Sequence, residues 1–221
     1  MKVQRVANMA PPPALFLVIS ILSLVILTNA ELISEFTCGH LYYRTLYLDE
    51  TKDVLYVGAM DKLIKVQNLK NISTTNCQKD AMDLKASNIP NCISRGKSKN
   101  YDCRNHIRVI QPIGPDGSRL YVCGTNAHNP KDEVIYANLT HLARHEFYPG
   151  IGDGIAKCPF DPEDNSTAVW VRTGNPGDHP AIYSGTNAEF TKADAVIFRY
   201  IHYAICMYCI CLFTFTYAIV Q

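Results

Sequence analysis

The sequence predicts an all-β protein in which small antiparallel sheets recur along the chain and stack radially, as the blades of a β-propeller do. Two observations carry this: a strand–turn–strand unit that occurs three times, and a composition suited to pleated sheet. The 221 residues include 13 Tyr, 12 Gly and 12 Pro. Tyr favours pleated surfaces, and Gly with Pro favours turns, which argues against an all-helical bundle. Hydrophobic residues make up 48% and charged residues 19%, so the chain can bury a core. Lys+Arg is 21 and Asp+Glu is 20. Nothing in that balance points to nucleic acid or to an anionic membrane surface.

The chain opens on an address. Lys2 and Arg5 give a basic start, and Ala14 to Leu27 carries no charge. Thr28-Asn29-Ala30 then places small residues for a cut after Ala30. This is the pattern of a secretory signal peptide over residues 1–30. The apolar run is shorter than the roughly twenty residues a bilayer span needs. Export changes how the nine cysteines read. Six lie in the body, Cys38, Cys77, Cys92, Cys103, Cys123 and Cys158, and none of them forms a Cys-x-x-Cys pair. In an oxidising compartment an even set of six reads as disulfides rather than zinc ligands. Three sequons, at Asn71, Asn138 and Asn165, agree with export and are the expected glycosylation sites.

The repeat organises the body. Leu55-Tyr56-Val57-Gly58-Ala59 resembles Leu120-Tyr121-Val122-Cys123-Gly124-Thr125-Asn126-Ala127 and Ile182-Tyr183-Ser184-Gly185-Thr186-Asn187-Ala188. Each is followed by a short apolar run: Leu63 to Val66, Val134 to Ala137 and Val196 to Phe198. Leu55 to Leu120 is 65 positions and Leu120 to Ile182 is 62. Each unit reads as a hairpin whose first strand ends at glycine, where the backbone needs freedom. A further strand, Tyr42 to Leu48, precedes the first hairpin and turns through residues 49–53. Such a sheet cannot bury both faces alone; radial stacking solves this. Blade repeats are usually about 40–50 residues, so the longer spacing implies insertions. A β-sandwich is the competing architecture. Residues 78–99, 111–118 and 139–164 read as surface loops, where partner contacts gather.

At these residues the sequence resembles the semaphorin family. Tyr56-Val57-Gly58-Ala59 is similar to the first-blade motif of a sema domain. Cys103-Arg104-Asn105-His106-Ile107-Arg108-Val109 is similar to its C-x-N-x-I-x-V strand. Cys123-Gly124-Thr125-Asn126-Ala127 matches CGTNA, and Cys158-Pro159-Phe160-Asp161-Pro162 matches CPFDP. Tyr183-Ser184-Gly185-Thr186 and Ile197-Phe198-Arg199 match a YSGT…IxR pair. The resemblance runs from about Phe36 to Arg199, and the Cys123 to Cys158 arrangement is most similar to secreted invertebrate class 2 semaphorins. It implies a seven-bladed β-propeller, of which residues 31–199 would supply the first two to three blades. It also implies a secreted, homodimeric guidance ligand that binds plexin-type receptors, chiefly through blades beyond Arg199, and is not an enzyme. It implies a Cys92–Cys103 disulfide. Many members carry a second cysteine soon after CGT; here none lies between Cys123 and Cys158. Cys158 is therefore the natural alternative partner of Cys123. Cys38 with Cys77 is a pairing open to the remaining two.

After Arg199 the family pattern stops, and Ile201 to Val220 holds no Asp, Glu, Lys or Arg. The run is long enough to span a bilayer, and Cys206, Cys209 and Cys211 could be read as a metal site. The abrupt break favours a third reading, sequence read through past a splice site. Weaker chemical signals resolve into bland ones. Gly150 to Gly154 lacks the strand and helix a dinucleotide loop needs. His141 and His145, with Glu146, are spaced to share an exposed helical face. Asp161, Glu163 and Asp164 lack calcium-loop spacing and read as a turn. No catalytic site, cofactor or small-molecule substrate is expected. The competing functions are a receptor-side protein of plexin type and a secreted β-propeller hydrolase; the absence of a clustered acid/base pair argues against the second.

Overall fold

The computed structural model describes residues 35–114, 116–146, 148 and 150–201. The expected signal peptide and the residues beyond Ile201, with their three cysteines, lie outside the described residues. Three antiparallel sheets follow one another along the chain. The first is β1 (Thr45–Asp49), β2 (Val54–Ala59), β3 (Lys62–Gln67) and β4 (Ala81–Asp83), hydrogen-bonded in that order. A short helix, α1 (Ile89–Ser94), leads to the second sheet: β5 (Ile107–Ile113), β6 (Arg119–Gly124), β7 (Lys131–Tyr136) and β8 (Thr140–His141). The third is β9 (Thr167–Val171), β10 (Ala181–Asn187) and β11 (Ala195–Ile201).

The three repeat motifs are the strands β2, β6 and β10, each paired to the strand that follows. The sheets stack because successive side chains of these strands point to opposite faces. In β6, Leu120 and Val122 face the first sheet and pack with Val54, Tyr56, Leu63, Ile107 and Ile110. Tyr121 and Cys123 face the third sheet, with Ile113, Val134, Cys158 and Ile182. Both faces of β6 are therefore buried, which is why it reads as a continuous apolar run. The Tyr56 hydroxyl donates to Ala137 O at 2.8 Å and ties the first two sheets together. On the far face of the first sheet, Phe36, Cys38 and Leu41 cover Val57, Ile64 and Val66. Cys38 and Cys77 are joined there.

Several elements differ from the sequence expectation for identifiable reasons. The first strand begins at Thr45, because Tyr42 has φ 49° and leaves the extended region. A leading strand precedes all three hairpins, and β4 and β8 are added edges. Glycine does not simply end the strand: Gly58 and Gly185 sit inside β2 and β10. Gly58 is there for close approach, since a Cβ on it would lie 2.9 Å from Ile107 Cγ2. The helical face expected for His141 and His145 does not form. Leu139 has φ 63°, and Thr140 and His141 pair with Tyr136 and Ile135 as β8. The last strand carries the fold two residues past Arg199, with Tyr200 buried.

Candidate functional site

The antiparallel register gathers the motif loops at one end of the sheets. The β2–β3 turn, the entry to β5, the β6–β7 loop and the β10–β11 loop all lie there. The C-x-N-x-I-x-V segment supplies the frame. Cys103 is bonded to Cys92 of α1, with an S–S distance of 2.01 Å, and closes the exposed basic loop between them. The Asn105 side chain donates to Leu84 O (2.8 Å) and accepts from the Asn126 N–H (3.0 Å). Between Ile107 and Val109 the register shifts. This bulge lets Ile107 face the first sheet while Val109 faces the third. The extra residue, Arg108, reaches out and donates to Pro162 O (2.7 Å) and Asp164 O (2.8 Å), fixing the CPFDP turn.

The CGTNA segment completes the frame. Cys123 is bonded to Cys158 at 2.01 Å, the partner expected in the absence of a second cysteine soon after CGT. Thr125 donates through Oγ1 to Arg104 O and accepts from the His106 N–H. Asn126, Ala127 and His128 have φ of 42°, 58° and 55°, three consecutive left-handed residues without glycine. Such a run is strained and must be held by its surroundings. Asn126 is held by Ser87 and by Asn129 O. Beneath the loops, Lys157 donates to Asp132 Oδ2 at 2.6 Å, and both side chains are buried. Burial pushes the Asp132 carboxyl up, against the pull of Lys157, the Gly152 N–H and the Tyr121 hydroxyl. Burial likewise holds His106 and His128 below the ordinary imidazole range.

At the surface of this end the chemistry is that of a contact patch. Arg44 donates to the Tyr101 hydroxyl (2.6 Å) and to Glu163 (2.7 Å). Tyr101 donates to the same carboxylate and, with Arg44, holds Glu163 below its usual range. Tyr42 packs edge-on to Tyr101, and Tyr101 to His106. Phe190 projects from the β10–β11 loop with Arg95 and Lys97 over its ring. Exposed aromatics with arginine suit protein recognition. Asp161, Glu163 and Asp164 do form a turn, closed by the Asp164 N–H to Asp161 O, and Lys192 pairs with both aspartates. Asn71, Asn138 and Asn165 are all exposed. The Ser73 and Thr140 hydroxyls donate to the carboxamide oxygens of Asn71 and Asn138, at 2.5 and 2.6 Å. Asn105 and Arg108 stand inside the Cys103 to Val109 motif without a pattern that marks their roles, and Asp132 and Lys157 carry no local signal at all.

No family model matches the chain. It is 68% identical over 171 residues to "Semaphorin-2A" of Schistocerca gregaria, covering 77% of this chain and 24% of that protein. Among solved structures it is similar to "Drosophila Semaphorin 2a", with a TM-score of 0.74 and 60% identity over 78% of this chain and 28% of that one. It shares its fold with a chain of "Drosophila Plexin A in complex with Semaphorin 1b", with a TM-score of 0.57 and 22% identity over 76% of this chain and 29% of that one. The chain thus spans about a quarter of the length of the relatives it matches. The three stacked sheets are blades of a sema-type β-propeller, as a portion of the whole ring.

Proposed function

The chain belongs to the semaphorin family, being similar to its class 2 members, and from that premise we propose that it is part of a secreted guidance ligand that binds a plexin-type receptor. The observation that carries the reading is the match to Drosophila Semaphorin 2a, in which 60% identity extends over 78% of this chain. The motif residues are the ones that build the frame: Cys103, Asn105, Gly124, Thr125 and Cys158 each hold a contact between sheets or loops. Plexin as partner is supported by the solved complex of Plexin A with Semaphorin 1b, whose fold this chain shares. The action would be recognition between broad surfaces without a reaction. Residues 1–30 would direct export, residues 31–199 would form the blades, and the disulfides and the glycans at Asn71, Asn138 and Asn165 would belong to the extracellular product. Homodimerisation of the longer protein would present two receptor sites and raise apparent affinity by linkage.

The test is plexin-dependent cell binding. The secreted chain, and the same chain continued through the remaining blades of its relatives, would be applied to cells with and without a plexin-type receptor. Saturable binding of the continued protein only to plexin-bearing cells is expected, with weaker binding by the chain itself. Equal binding to both cell types would refute the proposal.

A further inference from the structure

Three loops bring Asp102, His128 and Asp161 together at the motif end of the sheets. One donor atom from each lies within 4.8 Å of the other two. Asp102 closes the Cys92–Cys103 loop, His128 is the third left-handed residue after β6, and Asp161 belongs to the CPFDP turn. His128 is 2% exposed, yet neither its Nδ1 nor its Nε2 has a hydrogen-bond partner. A buried imidazole left wholly unpaired has given up its hydrogen bonds to water with nothing in return, so the position calls for a ligand. Neither carboxylate hydrogen-bonds the ring, yet both lie close to the span of one ion's coordination shell. In a tetrahedral zinc site, N and O donors sit about 2.0–2.2 Å from the metal. Closing the cluster onto such an ion therefore needs a movement of about an ångström. Phe190 packs edge-on against the His128 ring at 5.4 Å and gives one side of the cluster an apolar wall.

We propose that Asp102, His128 and Asp161 form a binding site for a zinc-class divalent cation that staples the three loops together. One imidazole nitrogen with two carboxylate oxygens is a donor set for zinc, with water as the fourth ligand. Calcium would not select the imidazole. Two lysines compete for the same carboxylate. Lys97 and Lys192 stand 3.5 and 3.3 Å from Asp161 Oδ2. Lys192 has a second partner in Asp164 at 2.6 Å and can stay with it. Lys97 has no other carboxylate partner among the described residues and is the cation that the metal displaces. The other groups at the cluster keep their partners: Asp102 Oδ2 accepts from the Ser98 N–H, and Asp161 Oδ1 from the Glu163 N–H.

The experiment titrates the purified secreted chain, without an affinity tag, with zinc against a fluorescent zinc indicator. Free thiols are first alkylated so that Cys206, Cys209 and Cys211 cannot bind. One saturable equivalent is expected. Asp102→Asn should weaken it about tenfold or more, and His145→Gln, an exposed control, should leave it unchanged. Lys97→Gln should tighten it about tenfold, an effect that a merely structural cluster would not give. Asp102 is not fully buried, so its variant reads the site even if His128→Gln fails to fold. Absence of a saturable equivalent overturns the proposal. So does zinc binding indifferent to both Asp102→Asn and Lys97→Gln, or saturation by calcium in preference to zinc.

Discussion

Gly124 is where the motif frame is tightest, and adding one methyl there should be costly. A Cβ at this position would lie 2.2 Å from Asn105 Oδ1 and 3.1 Å from the backbone oxygen of His106. The first distance is far inside van der Waals contact, so Asn105 must move. It cannot move freely: its side chain bonds both Leu84 O and the Asn126 N–H. Each bond contributes about 1 kcal/mol, and a buried partner left unpaired costs about 1–3 kcal/mol. Gly124→Ala should therefore destabilise the protein by about 2–4 kcal/mol. Gly185→Ala is the matched control. It lies mid-strand, and its nearest neighbour would be Thr167 Cγ2 at 3.5 Å, an ordinary contact. Relief of unfolded-chain entropy should there yield a gain of up to about 1 kcal/mol. Trp170 is the chain's one tryptophan and packs against the core between the second and third sheets. Its fluorescence through a urea titration reports both variants. Adding Asn105→Ala to Gly124→Ala should recover part of the loss. If Gly124→Ala and Gly185→Ala fell within about 0.5 kcal/mol of each other, the account of the frame would be wrong.

Other outcomes follow from the same geometry. Closure of the loop between Cys92 and Cys103, 11 positions apart, is worth about 3 kcal/mol in the chain-entropy model; unreduced peptide mapping should recover the two as one linked fragment, and alkylation of both in secreted protein would sink the pairing. The exposed Asn71, Asn138 and Asn165 should be glycosylated on export, so glycosidase should lower the mass by up to three chains, and each Asn→Gln change should remove one; a secreted protein with no sensitive mass refutes this. His106 is buried and neutral, its pKa lowered chiefly by desolvation and opposed by its hydrogen bond to Tyr101 O. A depressed imidazole pKa contributes stability that is whole above the unfolded value of about 6.5 and is lost as pH falls through the folded value. The urea midpoint should therefore drop on acidification below about pH 6.5, and His106→Gln should flatten that slope.

The parts of this fold legible in the sequence are those whose cause is local. The run Leu120-Tyr121-Val122-Cys123 announces a strand buried on both faces, because alternate side chains meet different sheets. Cysteine, glycine and sequon positions are legible for the same reason. Elements fixed by distant partners were not. β4 and β8 are three and two residues long, and only the neighbouring strand makes them strands. Simple alternation puts Ile107 and Val109 on one face; the bulge at Arg108, drawn outward by Pro162 and Asp164, separates them. Asp102, His128 and Asp161 are separated by tens of positions, so no spacing pattern could join them. Gly154 shows the difference most directly. Within Gly150-Ile151-Gly152-Asp153-Gly154 it reads as one glycine of a flexible turn. A Cβ there would lie 2.8 Å from the backbone of Pro130 and Lys131 and 2.9 Å from Cys123 Sγ. The Gly154 N–H also donates to Pro130 O, and Gly154 O accepts from the Cys158 N–H. The residue is small so that the β6–β7 loop can lie against the segment carrying Cys158. Its identity thus depends on a disulfide partner 31 positions earlier, which the pentapeptide cannot reveal.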